Sequence, residues 1–355
     1  MLYLINPSLW GIKMRATIKD IAKVLDLSPS TVSRALRDCS SVSKKTREKI
    51  LHIAQSMGYQ PNLTARGLVS GRTQNIGVIL SIETRDYNSL QIFNSIVVNG
   101  IFEVADAANY NLTFAKESKK HQTGALQRII ENRDADGVLI VNVVSEDVLA
   151  KLTINNIPVV LIDNHFDNLQ SYAVNNNDRL GAYLGTKHLL SLGYKSIGFI
   201  GISEQAFNRE CEMGYFQALL ESEIRTDPNF LAKGNGDLGS GYDAMMKLLK
   251  INRPPRGVFI VNDEMAIGAI KAIKDFGLSV PGDIAVVGMD GMPFMEYFDP
   301  PLTTVKIEVA ELGRTALQML LGLIEGNYNG NRQIAISPRL IIRKSCGYFL
   351  NSTVT

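Results

Sequence analysis

Apolar positions near the N-terminus repeat with helical spacing. The apolar residues of the first such stretch share one helix face: Ile18, Ile21, Ala22 and Leu25. Two further stretches of this kind follow, one after Ser28 and one from Ser43 to about Met57. Thr17 and Ser28 are residue types that cap helix starts, and Pro29 suits a first helical position because its missing N–H costs nothing there. Three short helices with a tight turn between the first two indicate a helix-turn-helix.

From about residue 75 the pattern changes to short apolar runs that alternate with helical spacing. The runs of strand length are 76–80, 137–141, 158–162, 196–200, 257–261 and 284–287, and the main helical stretches are 90–109, 178–192, 208–223, 240–250 and 264–275. Regular alternation of this kind predicts parallel sheets covered by helices on both faces. This region is large for one sheet. We therefore predict an all-α helix-turn-helix head and an α/β body of two doubly wound parallel-sheet lobes with a cleft.

Charge is divided unevenly between these two parts. Residues 14–72 hold 11 Lys/Arg against 4 Asp/Glu, whereas residues 73–355 hold 25 against 31. The whole chain, with 45% hydrophobic and 20% charged residues, has the composition of a globular protein rather than a disordered one. No apolar run approaches the length of about 18 residues that a membrane span needs. A basic head on an acidic body indicates that the head contacts nucleic acid.

Polar side chains line the exposed face of the second predicted helix. They are Ser30, Thr31, Ser33 and Arg34. Small hydroxyls at a helix start suit phosphate and base-edge contacts, and an arginine can bond a guanine in two places. The alternative is an ordinary helical bundle with a solvated polar face. The local positive charge favours DNA binding.

These segments closely resemble the DNA-binding head of the lactose-repressor (LacI/GalR) family. The matching segments are 17–22, 28–36, 42–50 and 58–62. The resemblance implies that Pro29 and Ser30 open a recognition helix in the major groove and that Arg34 lies further along it. It also implies phosphate contacts, made by Thr17, Ser28, Thr31, Ser33 and Asn62. Body segments 136–138, 262–269, 286–290 and 300–305 are similar to the same family, whose body is periplasmic-binding-protein-like.

The segment 62–68 lies between head and body. In the resembling family it forms a short hinge helix that enters the minor groove when the operator is bound, and Ala65 and Leu68 belong to its DNA-binding residues. Leu68 matches the leucine that wedges between base pairs. A helix this short is marginal in water, and Gly67 disfavours it by roughly 1 kcal/mol more. We expect it to fold only on DNA; the alternative is a plain linker.

The domain organisation follows from these assignments. We predict a leader at 1–14, a helix-turn-helix domain at 15–60, a hinge at 61–73 and an effector-binding and dimerisation domain at 74–350. Within the last, one subdomain comprises about 74–175 and 306–335, and the other comprises about 176–305 and 336–350. Met14 stands just before the first helix, and we expect translation to begin there rather than at Met1.

Polar residues follow several of the predicted strands. They are Asp163, Asn262, Asp263 and Asp290. Ligands of open parallel sheets bind beyond the carboxyl ends of the strands, and Asp and Asn suit a polyhydroxylated ligand. Each residue alone is more often a helix cap or a turn residue. The resemblance supports a ligand site, because Asp163, Asn262 and Asp290 match effector positions of the family.

Other cleft positions depart from the family pattern. Cys211 occupies the position where many members have an arginine that binds vicinal hydroxyls, and Arg209, two residues earlier, is a candidate replacement. Ile307 and Val309 stand at positions of polar and aromatic ligand contacts, and Gly236 stands near that of a stacking tryptophan. The cleft therefore differs from that of the lactose repressor, and the sequence does not name the effector. A sugar, a phosphorylated sugar, a nucleoside and a partner protein all remain open.

Several other features carry little functional weight. The segment 234–239 fits G-x-G-x-x-G, but the preceding 227–231 is a poor strand, so we predict a loop at the cleft rim rather than a nucleotide site. Asp178 and Arg179 are interpreted as surface charges. The three cysteines and four histidines do not cluster, and no nucleophile motif or P-loop occurs. We predict no metal, no cofactor and no catalytic residue.

Together these features predict a cytoplasmic transcriptional regulator that responds to a ligand, and we expect it to act as a repressor. Its partners are a pseudo-palindromic double-stranded operator, a small-molecule effector and a second copy of the chain. We expect a dimer because no leucine heptad follows the body. A solute-binding protein without DNA function is the alternative; it explains the cleft but not the basic head. An enzyme is the third hypothesis, and no constellation of residues supports it.

Overall fold

The computed structural model describes residues 16–36, 41–59, 72–81, 88–117, 124–142, 146–164, 171–202 and 206–348. It divides the chain into two compact units, Met1–Thr73 and Gln74–Thr355. The predicted leader and the hinge residues Asn62, Ala65 and Leu68 lie outside the described residues. The head and the body are considered separately below.

The head consists of three short helices, α1 (Ile18–Leu25), α2 (Pro29–Leu36) and α3 (Lys44–Ser56). Thr17 and Ser43 cap α1 and α3 by accepting hydrogen bonds from backbone N–H groups of the first turn. Asp26 ends α1 in the left-handed conformation, which reverses the chain toward α2. The helices enclose a small core of Ile21, Ala22, Val32, Ala35, Ile50 and Ala54. The predicted helix-turn-helix is confirmed.

The first sheet of the body has six parallel strands in the order β11-β5-β4-β3-β1-β2. Its strands are β1 (Asn75–Ser81), β2 (Asn111–Glu117), β3 (Gly137–Val141), β4 (Val159–Ile162), β5 (Tyr172–Asn176) and β11 (Gln333–Ile336). The central strand β3 is buried along its whole length, as the continuous apolar run predicts.

The second sheet has six strands in the order β12-β10-β9-β8-β6-β7. Its strands are β6 (Ile197–Ile202), β7 (Leu231–Gly234), β8 (Gly257–Ile260), β9 (Ala285–Asp290), β10 (Thr303–Lys306) and β12 (Arg339–Ile341). All of its pairs are parallel except β10 with the short edge strand β12. Two doubly wound lobes therefore form as predicted, with one antiparallel edge added.

The body helices cover both faces of these sheets. They are α4 (Asn88–Ala107), α5 (Gly124–Glu131), α6 (Glu146–Ile154), α7 (Asp178–Ser191), α8 (Ala206–Glu221), α9 (Leu238–Leu249), α10 (Asp263–Asp275) and α11 (Val309–Glu325). The chain passes from one sheet to the other three times: between β5 and α7, between β10 and α11, and between β11 and β12. These crossings place the carboxyl ends of β4, β5, β8 and β9 next to the boundary between the lobes.

Candidate DNA-binding head and ligand cleft

The start of α2 holds a cluster of hydroxyl groups. Ser28 Oγ accepts a hydrogen bond from Thr31 N at 3.1 Å and lies 2.7 Å from Ser30 Oγ and 2.8 Å from Thr31 Oγ1. Ser28, Pro29, Ser30 and Arg34 are exposed, whereas Thr31 and Ser33 are half-buried. A capped helix with its first turn open to solvent is the geometry that phosphate and base-edge contacts need.

Thr17 lies at the start of α1 and forms a capping box with Asp20. Thr17 N and Thr17 Oγ1 donate to Asp20 Oδ2 at 2.8 and 2.7 Å, and Asp20 N donates back to Thr17 Oγ1 at 3.3 Å. These hydrogen bonds from Thr17 hold the pKa of Asp20 below its ordinary value. The exposed Thr17 hydroxyl is therefore fixed in place at a helix N-terminus.

Asp263 and Asp290 form a pair of carboxyl groups at the ends of β8 and β9. Asp263 is fully buried at the first position of α10, and its carboxylate accepts hydrogen bonds from Gly291 N (3.0 Å), Met292 N (2.9 Å) and Thr304 Oγ1 (2.6 Å). Burial outweighs these favourable hydrogen bonds and raises the pKa of Asp263 to about 7. Asp263 therefore binds a proton near neutral pH.

Asp290 is the member of this pair that is partly exposed. Its Oδ2 accepts a hydrogen bond from Asp263 N at 3.2 Å, and its backbone has a φ of 129°, a strained conformation for a residue with a side chain. Burial and the neighbouring Asp263 carboxylate raise its pKa well above its ordinary value, and the charges of Asp163 and Asp178 add to this effect. Carboxylates of the two lobes thus act on one another.

Asp163 belongs to the opposite lobe and lies directly after β4. It adopts the left-handed conformation, and its Oδ1 accepts a hydrogen bond from Asn176 Nδ2 at 2.9 Å. Asn176 is the last residue of β5, at a crossing between the lobes. The predicted positions Asp163 and Asp290 are thus brought within electrostatic range of each other from different sheets.

Asn262 caps α10. Its Oδ1 accepts from Met265 N at 2.9 Å, and its Nδ2 donates to Gly236 O at 2.8 Å. Each polar atom of the amide thus has a partner inside the protein, and one N–H and one lone pair of the amide oxygen are left for a ligand. The helix-cap alternative therefore accounts for Asn262 in this structure.

Cys211 and Arg209 occupy different environments on α8. The Cys211 thiol is fully buried, 4.0 Å from Asp178 O, and burial followed by the nearby carboxylates raises its pKa well above its ordinary value. Arg209 is exposed. A neutral thiol therefore stands on the inner side of α8, where an arginine was anticipated from the family pattern. Ile307 and Val309, which stand where family members have polar and aromatic ligand contacts, are buried apolar residues.

One sequence interpretation near the cleft is wrong, and one strand there was not predicted. Residues 228–230 form a short 3-10 helix, but the strand β7 follows them and leads through the glycine-rich loop into α9. Asp237 caps α9 by accepting from Ser240 N at 2.7 Å, so a carboxylate already occupies the position that a nucleotide phosphate would take. Asp178 is not a surface charge: it is buried in the first turn of α7, whereas Arg179 is exposed and bonds Gln217.

Asn176 is the polar residue of the cleft that the sequence reasoning missed. The run Asn175–Asn177, directly before a helix at an expected crossing between lobes, is the signal that could have indicated it. In the described part of the chain no group of three or more His, Cys, Asp or Glu side chains is arranged to hold a metal ion. The described helices include none with the length and hydropathy of a membrane span.

Comparison with known proteins agrees with this division into head and body. The model of the bacterial regulatory proteins of the lacI family matches residues 17–62, and that of the periplasmic binding protein-like domain matches residues 186–346. The HTH-type transcriptional repressor PurR of Aliivibrio salmonicida (strain LFI1238) is 30% identical over 338 residues, which cover 93% of this chain and 98% of that protein.

Solved structures give the same result over nearly the whole chain. The lac repressor dimer bound to operator and the anti-inducer ONPF is 27% identical, with a TM-score of 0.77, over 94% of this chain and 99% of that one. The complex of the transcriptional regulator CelR with cellobiose is 25% identical, with a TM-score of 0.68, over 93% and 100% of the two chains.

A helix-turn-helix head followed by a two-lobed α/β body with polar strand ends at its cleft defines a ligand-responsive DNA-binding regulator. The chain belongs to the lacI family of bacterial regulatory proteins and is a transcriptional repressor with a ligand-binding body of the periplasmic-binding-protein type. The family resemblance and the fold class predicted from the sequence are confirmed. The relatives are repressors, not enzymes.

Proposed function

We propose that this repressor binds a pseudo-palindromic operator as a homodimer and that a sugar or sugar derivative in the interlobe cleft controls its operator affinity. Residues 15–60 form the DNA-binding domain, 61–73 the hinge and 74–350 the effector-binding and dimerisation domain. The protein acts in the bacterial cytoplasm, where operator DNA lies, and has no catalytic activity. The observation that carries this proposal is that one chain combines two features. Its head has a capped helix, α2, with an exposed first turn, and its body has a cleft with carboxyl groups from both sheets.

The DNA-binding role is assigned to the exposed side of the head. Ser28 and Ser30 at the start of α2, together with Thr17 at the start of α1, are placed to bind phosphates. Arg34 is the one long basic side chain on α2, and it is exposed. Arginine bonds a guanine in the major groove through two hydrogen bonds, so it contributes both affinity and sequence preference.

The effector role is assigned to the cleft between the two sheets. Asp163 and Asp290 project carboxylates from opposite lobes, and a ligand with several hydroxyls can donate to both and so hold the lobes in one arrangement. Arg209 and Asn262 are further members of the proposed site, and Asn262 can offer a ligand one N–H and one lone pair of its oxygen. The cellobiose bound by CelR supports a sugar as the ligand class.

Arg34→Ala in the full-length protein tests the DNA-binding role. Footprinting on genomic DNA first identifies the operator, and titration then compares operator affinity with affinity for a scrambled sequence. Loss of a bidentate guanine contact is worth about 1–3 kcal/mol, or roughly 5- to 150-fold in affinity, and relaxes the preference at one base pair. Lys49→Ala removes the same charge from exposed α3 and serves as the matched control.

Both variants lower non-specific binding, because each removes a positive charge from the head. Only Arg34→Ala is expected to reduce the ratio of operator to scrambled-sequence affinity. Unchanged sequence preference in Arg34→Ala contradicts the assignment of α2 as the recognition helix. Failure of the unaltered protein to select any genomic site contradicts the proposed function as a whole. Light scattering of the protein with and without operator measures the expected dimer.

A further inference from the structure

Asn176 joins the two sides of the cleft at a crossing between the lobes. It ends β5, and α7 of the other lobe begins two residues later. Its Nδ2 donates to Asp163 Oδ1 at 2.9 Å, which fixes which way the amide faces. Asn176 is 7% exposed, and its Oδ1 is a buried acceptor with no hydrogen-bond partner among the described residues. Buried acceptors without a partner are rare in proteins, and each calls for an explanation such as a bound water, an ion or a functional role.

The polar atoms around Asn176 are acceptors as well. The Asp163 carboxylate lies next to it, and the charges of Asp163, Asp178 and Asp263 all act on Asp290. In the described part of the chain neither Asp263 nor Asp290 forms an ion pair with a lysine or arginine, although the charge of Arg343 acts on Asp263 and favours its charged form. The neighbouring Cys211 thiol is neutral and buried. This end of the cleft therefore presents carboxylates and an amide carbonyl.

We propose that Asn176 is a specificity-determining residue of the effector site, which accepts a hydrogen bond from the effector and positions Asp163 to accept another. This inference rests on the proposed function and restricts its ligand class. At the Asp163–Asn176–Asp290 end of the cleft the effector presents hydroxyl or amino donors. An effector that places a phosphate or carboxylate group there is excluded.

The exclusion follows from elementary electrostatics. A phosphate or carboxylate in this position loses its hydration and meets the Asp163 carboxylate and the carbonyl oxygen of Asn176, which disfavours binding strongly at low dielectric. A neutral hydroxyl donates to Asp163 or to Asn176 Oδ1 at no such cost. A protonated amine gains from the Asp163 carboxylate. The order of affinity expected for otherwise identical sugars is amino or neutral first and anionic last.

Thermal shift and calorimetry on the full-length protein test this order. The probes are matched sets: glucose, glucosamine, glucose 6-phosphate and glucuronate; ribose and ribose 5-phosphate; and cellobiose. We expect at least one neutral or amino sugar to raise the Tm, and each anionic counterpart to bind at least tenfold more weakly than its neutral partner. Anionic sugars that bind equally well or better overturn the inference, as does a panel in which no neutral or amino sugar binds.

Asn176→Asp then isolates the residue itself. The substitution keeps the shape of the side chain, removes the donor to Asp163 and adds a negative charge. We expect it to weaken binding of the best neutral sugar at least tenfold and to raise the ratio of amino-sugar to neutral-sugar affinity. Impaired folding lowers both affinities together, so the ratio separates the two explanations. Asn176→Ala, which removes the donor and the acceptor without adding charge, weakens the neutral sugar but leaves the ratio unchanged.

Asn175→Ala is the matched control. Asn175 precedes Asn176 on the same strand, faces the opposite side of the sheet and accepts a hydrogen bond from Asn164 N at 2.9 Å. Its replacement removes the hydrogen bond from Asn164 N but keeps the hydrogen bond between Asn176 and Asp163, so sugar affinity stays within about twofold. Sugar binding by Asn176→Asp that matches the unaltered protein overturns the inference. If the sugar tests fail while operator selection by the unaltered protein succeeds, the DNA-binding part of the proposed function still stands.

Discussion

Asp263 shows how a single buried carboxyl group can make the stability of the body depend on pH. It accepts three hydrogen bonds, from Gly291 N, Met292 N and Thr304 Oγ1, yet burial still raises its pKa from 3.8 to about 7. The folded body therefore retains a proton that the unfolded chain releases between these two values. Asp263 favours the folded state fully below pH 4, and this contribution is lost as the pH rises toward 7.

Asp263→Asn is expected to flatten this part of the pH profile. An amide can accept from Gly291 N and Met292 N through its oxygen and donate to Thr304 Oγ1, so the site stays satisfied without a titrating group. A difference of about three between folded and unfolded pKa corresponds to roughly 4 kcal/mol at most. Thermal unfolding at pH 4.5 and 7.5 should show a smaller loss of Tm in Asp263→Asn than in the unaltered protein.

The half-buried Asp283 provides the control for this measurement. Hydrogen bonds from Ser279 hold its pKa below its ordinary value, so its contribution to stability has the opposite sign and is lost on acidification. Asp283→Asn should therefore leave the decrease between pH 4.5 and 7.5 in place. An unchanged pH profile in Asp263→Asn shows that Asp263 does not retain its proton in the folded state.

The polar residues at the strand ends either bind a ligand or only support the fold, and contacts distant in sequence decide between these roles. The ends of the predicted strands indicated where Asp163, Asn262, Asp263 and Asp290 lie. They did not show that Asn262 is occupied by Met265 N and Gly236 O, because Gly236 lies in a loop that packing alone brings to it. They also did not show that Asp178 is buried, since its burial depends on how α7 packs on the second sheet.

At the scale of elements, buried strands and edge strands differ in how well the sequence indicates them. The central strands β3 and β8 are continuous apolar runs because helices cover both of their faces, and they were predicted within one or two residues. The strand β7, with the sequence Leu-Ala-Lys-Gly, lies at an edge and is buried on one side only. Its exposed positions, Leu231 and Lys233, alternate with the buried Ala232 and Gly234, so no apolar run forms and the sequence pattern did not predict this strand.

Helix pairs in the body are held close together by glycine. Gly268 of α10 lies against the backbone of α9, and a Cβ at this position meets Leu238 O and, at 2.8 Å, Tyr242 N. Gly241 of α9 makes the reciprocal contact with the backbone of Met265. Backbone atoms cannot rotate away as a flexible side chain can, so any side chain at these positions forces the two helices apart.

Gly268→Ala is therefore expected to destabilise the body although alanine is the better helix former. Overpacking typically costs about 1–3 kcal/mol and exceeds the gain of roughly 1 kcal/mol in helix propensity. Gly239→Ala is the control: it lies in α9, where the nearest atom to a Cβ is Asp237 Oδ1 at 3.6 Å. Chemical denaturation should show a lower free energy of unfolding for Gly268→Ala, and an equal or higher value for Gly239→Ala. Equal stability of the two variants contradicts the close approach of α9 and α10.

At the scale of the whole molecule, charge and function are divided in the same way. The net charge of +2 combines a strongly basic segment before residue 73 with an acidic body. Sequence-independent attraction to DNA depends on positive charges near the phosphates, and operator affinity should therefore fall steeply as salt rises. In the acidic body, Asp163, Asp263 and Asp290 lie at strand ends beside the proposed effector site.

Coupling between operator binding at the head and effector binding at the proposed cleft site must be reciprocal. If an effector changes operator affinity by a given factor, operator binding changes effector affinity by the same factor, because both are measures of one coupling free energy. Calorimetry with the best sugar of the panel, with and without saturating operator, gives one factor, and operator titration with and without that sugar gives the other. We expect the two to agree and to lie between about 5- and 150-fold, the range of coupling energies of 1–3 kcal/mol. A scrambled DNA fragment of equal length controls for non-specific charge effects. A sugar that binds with equal affinity to the free and the operator-bound protein has no influence on the operator, and the cleft is then not the regulatory site.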